Sequence, residues 1–360
     1  MDIKLSAEQK RFREKAAAWI ARDFPFAERT EWADTDRFHR GLLENGWLEE
    51  ILPDPSDLVE SAIRAALIAE AVGAAVICDG FFRSAYAVVN ILMETGRSDH
   101  FNAARAAVKD GKRMAVAALE PGRGFALDPQ SVAASDDDET WTLTGPKAAI
   151  VDGADADLLL VSAAIGDEPA LFLVEGNTGQ KRTAYRTIDG LRAADIEFAG
   201  ANGKLVVRGT DAMRALERGL HRTFTALAAE ALGACDTAIA DTAEYAGQRE
   251  QFGRPIGKFQ VIAHRLARMF IEADTLRGSV LNALSVSEAD AQKRARAAEG
   301  TKVLLSESGR YVVQQAIQVH GGVGVLENRR VAHCYKLLTS IDAFFGTGDE
   351  HLGRYAESVG

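Results

Sequence analysis

The chain has 360 residues, of which 47% are hydrophobic and 26% are charged, a composition typical of globular proteins with about two or three domains. Its formal net charge of −10 argues against nucleic acid or an anionic membrane as the main partner. No run of about 20 apolar residues predicts a membrane span, and the three cysteines lack metal-ligand spacing. We therefore expect a cytoplasmic protein without a metal site.

Residues 1–112 predict an N-terminal α-helical domain. Ser6 and Gln9 have the spacing of a capping box at a helix start. Apolar residues then recur at steps of three or four, including an alanine-rich run over 58–76 and a further run over 81–93. These patterns indicate several amphipathic helices in succession.

The period changes after residue 113. Short apolar or alternating runs, separated by Gly and Asp, follow one another at the spacing of a small all-β unit. They are residues 141–145, 157–161, 170–174, 195–198 and 204–207. We assign residues 113–208 to a central β-domain, folded as a small barrel or sandwich.

The helical period returns over residues 209–360. Three or four long helices with short connections predict a C-terminal four-helix bundle. The first helix is followed by Gly253 and Pro255, which favour a stop and a bend, so Arg249 is expected on its last turn. The whole chain is predicted to be mainly α with one β-domain.

Two motifs in this helical region resemble signatures of the acyl-CoA dehydrogenase family. Residues 245–260 read YAGQREQFGRPIGKFQ, and residues 318–324 read QVHGGVG. The resemblance extends over most of the chain and implies the helical, β, helical architecture that the periodicity predicts independently. It also implies α,β-desaturation of an acyl-CoA thioester. That reaction needs a base for the α-proton and an electron acceptor that no side chain provides, hence FAD.

The resemblance also implies a set of ligand contacts. In the family, these positions reach across a dimer interface to the neighbouring subunit's FAD, where Arg can pair with pyrophosphate and glycines admit a close approach. The FAD contacts are assigned to Arg249, Gln251, Phe252, Phe259, Gln260, Gln318, Gly321, Gly322 and Thr347, and a substrate contact to Gly346. For Gly321 and Gly322, a plain helix C-cap is the alternative.

The flavin bed of the β-domain departs from the family pattern. The family usually has Thr-Glu-Pro-x-x-Gly-Ser-Asp, and here Leu119 replaces the Thr while residues 125–126, Phe-Ala, replace Ser-Asp. In the run that is usually Lys-x-Trp-Ile-Thr, Ala149 and Val151 replace Trp and Thr. An aromatic partner and two hydrogen-bond donors for the flavin are therefore missing.

The catalytic base is missing from its usual position. Many family members carry it as the Glu of a Tyr-Glu-Gly-Thr turn, where this chain has Phe345. Phe cannot accept a proton. Glu230 and Glu120 are weak alternative candidates, with a plain bundle residue as the alternative for Glu230, and His221 is weaker still.

Three hypotheses follow from the resemblance. We favour a subunit of an α2β2 heterotetramer, similar to bacterial acyl-CoA dehydrogenases that shorten steroid side chains, in which a homologous subunit supplies the base. The second is a homotetramer that uses an unusual base. The third is a flavin-free scaffold or acyl-CoA-binding subunit. In the first two, an electron-transfer flavoprotein is the acceptor that the resemblance implies.

Overall fold

The computed structural model describes residues 5–29, 37–134, 141–176 and 178–359. The chain divides into two compact units, each built from separate stretches of sequence. The first, here called the helical unit, takes described residues from Met1–Thr35, Pro55–Cys78 and Phe224–Gly360. The second, the β unit, takes Asp36–Asp54 and Asp79–Thr223. The domain boundaries at residues 112 and 208 stay a prediction.

The N-terminal part is helical, as predicted. The capping box is confirmed: the Ser6 hydroxyl accepts from the Gln9 amide at 3.1 Å, and the Gln9 side chain accepts from the Ser6 amide at 2.9 Å. The helices are α1 Ala7–Asp23, α2 Arg37–Glu44, α3 Leu48–Ile51, α4 Leu58–Ala75, α5 Ala85–Glu94 and α6 Ser98–Lys109.

Seven strands form the central sheet of the β unit. They are β1 Met114–Ala117, β2 Val132–Ala134, β3 Trp141–Val151, β4 Leu158–Ile165, β5 Glu168–Glu175, β6 Gln180–Arg186 and β7 Arg192–Arg208. The pairings β4–β2, β2–β3, β3–β7, β7–β5 and β5–β4 close into a ring, so the sheet is a small barrel. Its interior is filled by Trp141, Phe172, Phe198 and neighbouring aliphatic side chains.

The strand prediction omitted β1, β2 and β6, and it divided β7 in two. The two runs at 195–198 and 204–207 belong to a single strand, β7. In its ladder with β3, Leu143 faces Ala201 and Thr144 faces Ala199, which leaves Gly200 as an extra residue at φ 77°. This is a β-bulge, and glycine there adopts a positive φ without strain.

The C-terminal part contains three long helical segments and two shorter ones, within the described residues. They are α7 Thr210–Gln248, α8 Gln260–Ser285, α9 Ala291–Leu304, α10 Arg310–His320, α11 Arg330–Asp342 and α12 Gly348–Val359. A π-helical turn, Leu305–Gly309, joins α9 and α10 into one continuous helical segment. The predicted fold class, mainly α with a β-domain and a helical C-terminal region, is confirmed.

A close crossing fixes α4 against α7 within the helical unit. A Cβ added to Gly73 would lie 1.7 Å from the carbonyl oxygen of Glu230, and one added to Gly233 would lie 1.9 Å from that of Glu70. The two backbones therefore touch directly. In the ranges that the structure describes, no helix is both long and apolar enough to cross a bilayer.

Candidate cofactor and substrate site

A tight hairpin follows α7. The helix ends at Gln248, although the amide of Arg249 still donates to the carbonyl of Tyr245 at 2.8 Å. Strands β8 Glu250–Gln251 and β9 Arg254–Pro255 then pair across a two-residue loop. Both loop residues, Phe252 and Gly253, have positive φ, 52° and 76°, the pattern of a type I′ turn. Gly253 therefore shapes the hairpin and does not itself end the helix.

The hairpin presents a cation and an aromatic ring outward. Arg249 is exposed, and within the described residues its guanidinium has no hydrogen-bond or ion-pair partner. Phe252 is 92% exposed, which is unusual for a large apolar side chain that also adopts a positive φ. Gln251 donates only to the carbonyl of Glu250, at 2.8 Å.

The residues after the hairpin lead into α8. The Phe259 ring packs edge-on to Phe252, with centroids 6.1 Å apart, and lies 4.2 Å under the guanidinium of Arg254. Gln260 opens α8 and is exposed. All the predicted contacts of the first motif therefore belong to one exposed surface segment.

The second motif lies at the end of α10. Gln318 is exposed on its last turn, and Gly321 caps the helix with φ 63°. A Cβ on Gly321 or Gly322 would meet nothing within 4 Å, whereas one on Gly324 would lie 2.9 Å from the Cβ of His320. The C-cap alternative therefore explains Gly321 through its φ. Gly322 has neither a positive φ nor a close neighbour to explain it.

The two motifs meet through a ring stack. The rings of Tyr245 and His320 lie 4.4 Å apart at an interplanar angle of 20°. Nδ1 of His320 is 2.9 Å from the carbonyl oxygen of Ala316, which holds the ring in this plane. The end of α7 and the glycine turn after α10 therefore occupy one region of the helical unit.

Several large apolar side chains are exposed in this unit. They are Phe252, Val261, Phe270, Ile271, Val323, Val325, Leu326 and Leu352. Exposed apolar side chains that gather in numbers mark protein interfaces more often than chance. Three of the eight, Val323, Val325 and Leu326, lie within four residues of each other, directly after the glycine turn.

The turn that carries Phe345 is enclosed. Phe345 is 5% exposed, has φ 54° and packs edge-on against Phe344 at 4.8 Å. The buried ammonium of Lys302 donates to the carbonyls of Ile341 and Asp342 at 2.9 Å and of Phe344 at 3.2 Å. One charged group thus fixes the last carbonyls of α11 and the start of the turn.

Two backbone N–H groups of the same turn make no hydrogen bond within the described residues. The amide N–H groups of Phe345 and Gly346 have no acceptor in the described part of the chain. Thr347 is engaged: its amide donates to Oε2 of Glu350 at 2.7 Å and its hydroxyl to the same oxygen. These hydrogen bonds hold the pKa of Glu350 below its usual value. Thr347 is therefore the N-cap of α12, and its role at FAD stays a prediction.

The candidate bases of the helical segment are not open to a substrate. Glu230 is 1% exposed and its backbone lies at the crossing with α4. His221 is half-buried on α7, beside an ion pair between Arg222 and Glu94 at 2.8 Å.

Glu120 forms an ion pair and hydrogen bonds inside the β unit. Its Oε1 lies 2.7 Å from the fully buried ammonium of Lys147 and accepts from the amides of Ser131 at 2.8 Å and Gln130 at 2.9 Å. Burial alone would raise the pKa of Glu120, but hydrogen bonds from Lys147 and Ser131 outweigh it and the pKa is lowered. A carboxylate with these bonds is a poor base and a good structural anchor.

Two positions of the altered flavin bed are buried, and the exposed Ala149 already uses its backbone donor. Leu119 and Val151 are each 8% exposed. Ala149 adopts φ 55° at a register shift of β3, and its amide donates to Oδ1 of Asp195 at 3.0 Å. The same oxygen accepts from the hydroxyl of Tyr185 at 3.0 Å. The Ala149 donor is therefore already used by the protein itself.

Sequence reasoning missed three buried polar residues around the Phe345 turn. They are Glu299, Lys302 and His351. Glu299 and Lys302 lie three residues apart on α9, on a face that also contains Ala298 and Thr301. Charged residues on a buried face are rare unless paired, and that pattern was the available signal.

The chain is similar in sequence to known proteins. The family model "Acyl-CoA dehydrogenase, C-terminal domain" matches residues 212–360. The short-chain specific acyl-CoA dehydrogenase of Megasphaera elsdenii is 30% identical over 262 residues, covering 68% of this chain and 67% of that protein.

Solved structures share the fold over nearly the whole chain. A variant of the Tcur3481-Tcur3483 steroid ACAD has a TM-score of 0.86 at 25% identity, covering 98% of this chain and 97% of that one. The ChsE4-ChsE5 complex from Mycobacterium tuberculosis has a TM-score of 0.86 at 24% identity, covering 100% and 99%. Homologues in the acyl-CoA dehydrogenase family bind FAD.

Proposed function

The chain belongs to the acyl-CoA dehydrogenase family, and we propose that it is the subunit of a heteromeric enzyme that completes its partner's FAD site without supplying a base. The proposal rests on a contrast between two places. The open edge, formed by Arg249, Gln251, Gln318, Gly321 and Gly322, is accessible to a cofactor, whereas the position of the usual base is occupied by a buried, apolar residue. Arg249 is exposed without a partner in the described residues, whereas Phe345 is 5% exposed.

The residues of the open edge fit a dinucleotide. Arg249 offers two parallel donors for pyrophosphate oxygens. Gln251 and Gln318 add amide groups, and the space beside Gly321 and Gly322 admits a ribose or phosphate next to the backbone. When bound, FAD accepts the hydride that leaves the β-carbon of the acyl group. Phe252 and Phe259 supply apolar contact beside these polar groups.

The thioester contact is proposed for the Phe345 turn. The amides of Phe345 and Gly346 are two neighbouring donors without an acceptor in the described residues. A carbonyl oxygen that accepts from them gains negative charge when the α-proton leaves, so the same hydrogen bonds become stronger. This assigns Gly346 its substrate role through its backbone.

Proton removal is assigned to the partner. Phe345 has no acceptor atom, Glu120 is held by Lys147, and Glu230 lies at a helix crossing. A positioned base contributes about 10²–10⁴ in rate, so a chain without one is expected to be a poor catalyst alone.

The partner is proposed to be a homologous acyl-CoA dehydrogenase subunit in an α2β2 assembly. The exposed apolar side chains around Phe252 and Val325 support a large protein interface. Two solved structures with the same fold each carry two protein names, Tcur3481-Tcur3483 and ChsE4-ChsE5, and the second is called a complex. An electron-transfer flavoprotein is the proposed electron acceptor.

The test is flavin stoichiometry with and without a homologous subunit. We expect the chain alone to be almost colourless and inactive, and the co-purified complex to hold one FAD per heterodimer and to oxidise acyl-CoA. One FAD per chain with turnover in a homo-oligomer would establish the homotetramer alternative. A colourless complex would establish the flavin-free alternative.

A further inference from the structure

A buried acid–histidine pair lies behind the Phe345 turn. His351 on α12 is fully buried, and its Nδ1 lies 2.5 Å from Oε2 of Glu299 on α9. Because a carboxylate accepts, Nδ1 carries the hydrogen and Nε2 has a lone pair. Nε2 has no hydrogen-bond partner in the described residues. Such orphaned buried nitrogens are rare and call for an explanation.

The orphaned nitrogen faces the turn. A Cβ on Gly346 would lie 2.7 Å from Nε2 of His351, and glycine at φ 133° leaves that space to the imidazole. The ring is held from the other side by Phe224, edge-on at 5.0 Å. His351 therefore supports Gly346 directly, one residue after Phe345. At zero exposure it cannot itself reach a substrate proton.

The surroundings favour a neutral imidazole. The charged groups that face His351 are Glu299 and Lys302 on α9 and Glu350 and Arg354 on α12. His351 also lies in the first turns of α12, where the helix dipole disfavours a cation. Burial lowers the pKa of His351 more strongly than the Glu299 hydrogen bond raises it. A proton on Nε2 would add a charged N–H that faces Gly346 and finds no acceptor there.

We propose that the Glu299–His351 pair is a positioning element for the amides of Phe345 and Gly346, and that it holds the turn only while Nε2 is unprotonated. The proposal rests on the thioester role given to these amides in the proposed function. Protonation of Nε2 increases the distance between the imidazole and Gly346. The amide N–H groups of Phe345 and Gly346 then lose their alignment. Acidification therefore weakens thioester binding at this turn.

The sequence offers a site-specific probe. Phe-Gly occurs only at 252–253 and 345–346. Labelling with 13C-carbonyl phenylalanine and 15N-glycine therefore gives two amide signals, one from Gly346 and one from Gly253 in the exposed hairpin. The second serves as an internal control in the full-length chain.

We expect the Gly346 signal to move with pH, with a midpoint below the ordinary histidine value of about 6.5, while the Gly253 signal stays in place. His351→Asn keeps a donor for Glu299 and cannot be protonated, so it should abolish the movement. Glu299→Gln removes the negative charge and should shift the midpoint down. His264→Gln, at an exposed histidine of α8, should leave the titration unchanged. A Gly346 signal that ignores pH, or that titrates equally in the His351→Asn variant, overturns the proposal.

Binding of butyryl-CoA is followed on the same signals. In the unmodified chain, we expect half of the Gly346 shift to require about three- to tenfold more butyryl-CoA below the midpoint pH than above it. That ratio corresponds to the loss of one neutral hydrogen bond. The His351→Asn variant should lose this difference. If Gly346 titrates with His351 but butyryl-CoA never shifts it, the thioester assignment of the proposed function is wrong, while the hold of the pair on the turn is supported.

Discussion

Two regions of the helical unit carry family motifs and differ in what they leave open. At the hairpin and glycine turn, Arg249, Phe252 and Gln318 are exposed. At the turn after α11, Phe345 is enclosed and three carbonyls are held by Lys302. Under the proposed function, this difference means that the first region serves a neighbouring subunit's FAD while the second supplies no base of its own. Each prediction below either removes this difference or measures it.

The largest effect concerns catalysis. Phe345→Glu restores a carboxylate in the enclosed turn but not the flavin bed at Leu119, Ala149 and Val151. We expect turnover by this variant alone to stay near that of the unmodified chain, and addition of the homologous subunit to raise turnover by about 10²–10⁴. Steady-state acyl-CoA oxidation measures both. Substantial turnover by the unmodified chain alone, with one FAD per chain, would contradict the division of roles.

The next effect concerns the buried pair that disqualifies Glu120 as a base. Lys147→Met leaves the Glu120 carboxylate buried without its ammonium and should lower the free energy of unfolding by about 3–5 kcal/mol. Urea unfolding measures the change. The double variant Glu120→Leu/Lys147→Met is the matched control and should recover much of the loss. A single variant as stable as the unmodified chain would reopen Glu120 as a proton acceptor.

A smaller effect is expected at the open edge. Arg249→Ala should weaken FAD retention in the assembled oligomer by about ten- to hundredfold, since a charge-assisted contact contributes about 1.5–3 kcal/mol. Flavin absorbance after dialysis measures it. Arg214→Ala, at an exposed arginine that pairs with Asp211 at the start of α7, should retain the flavin. Equal retention in both variants would remove Arg249 from the cofactor site.

The smallest effect is the pH dependence of stability that comes from a buried histidine outside the two motif sequences. His333 is 7% exposed and its Nε2 lies 2.8 Å from the carbonyl of Glu327. Burial lowers the pKa of His333, so the unfolded chain binds more protons below about pH 6.5 and stability falls on acidification. His333→Gln should show a shallower fall between pH 7 and 5, by less than about 1.4 kcal/mol per pH unit. Urea midpoints measured across that range test it, and parallel profiles would contradict it.

The fold was predictable wherever local pattern and tertiary environment agree. The capping box at Ser6 and the alanine-rich helix at 58–76 need only nearby residues. Strand β6, Gln180–Arg186, was missed because it is mostly polar and exposed and pairs with β7 alone. Strand β7 was split because Ala199–Gly203 looks like a turn, and only the ladder with β3 shows that the strand continues through the bulge.

The motifs of the candidate site could be predicted from the sequence, but the buried residues that hold the Phe345 turn in place could not. Arg249, Gln318 and the replacement at Phe345 can be identified by position in the sequence. Glu299 and His351 are 52 residues apart and meet only after α9 and α12 pack. Lys302 reaches the turn from 39 to 42 residues away. No local period encodes such contacts, so they emerge only from the packed structure.

The crossing of α4 and α7 also bears on mutational tolerance. Gly73 and Gly233 lie outside both motifs, yet any side chain at one of them would occupy the place of a backbone atom of the other helix. In a saturation mutagenesis scan, these two positions should rank among the least replaceable in the protein. Their fixed contact sets the axis of the helix that ends beside Arg249. A variant at either glycine would therefore imitate a cofactor-site defect while every residue proposed to bind FAD remains intact.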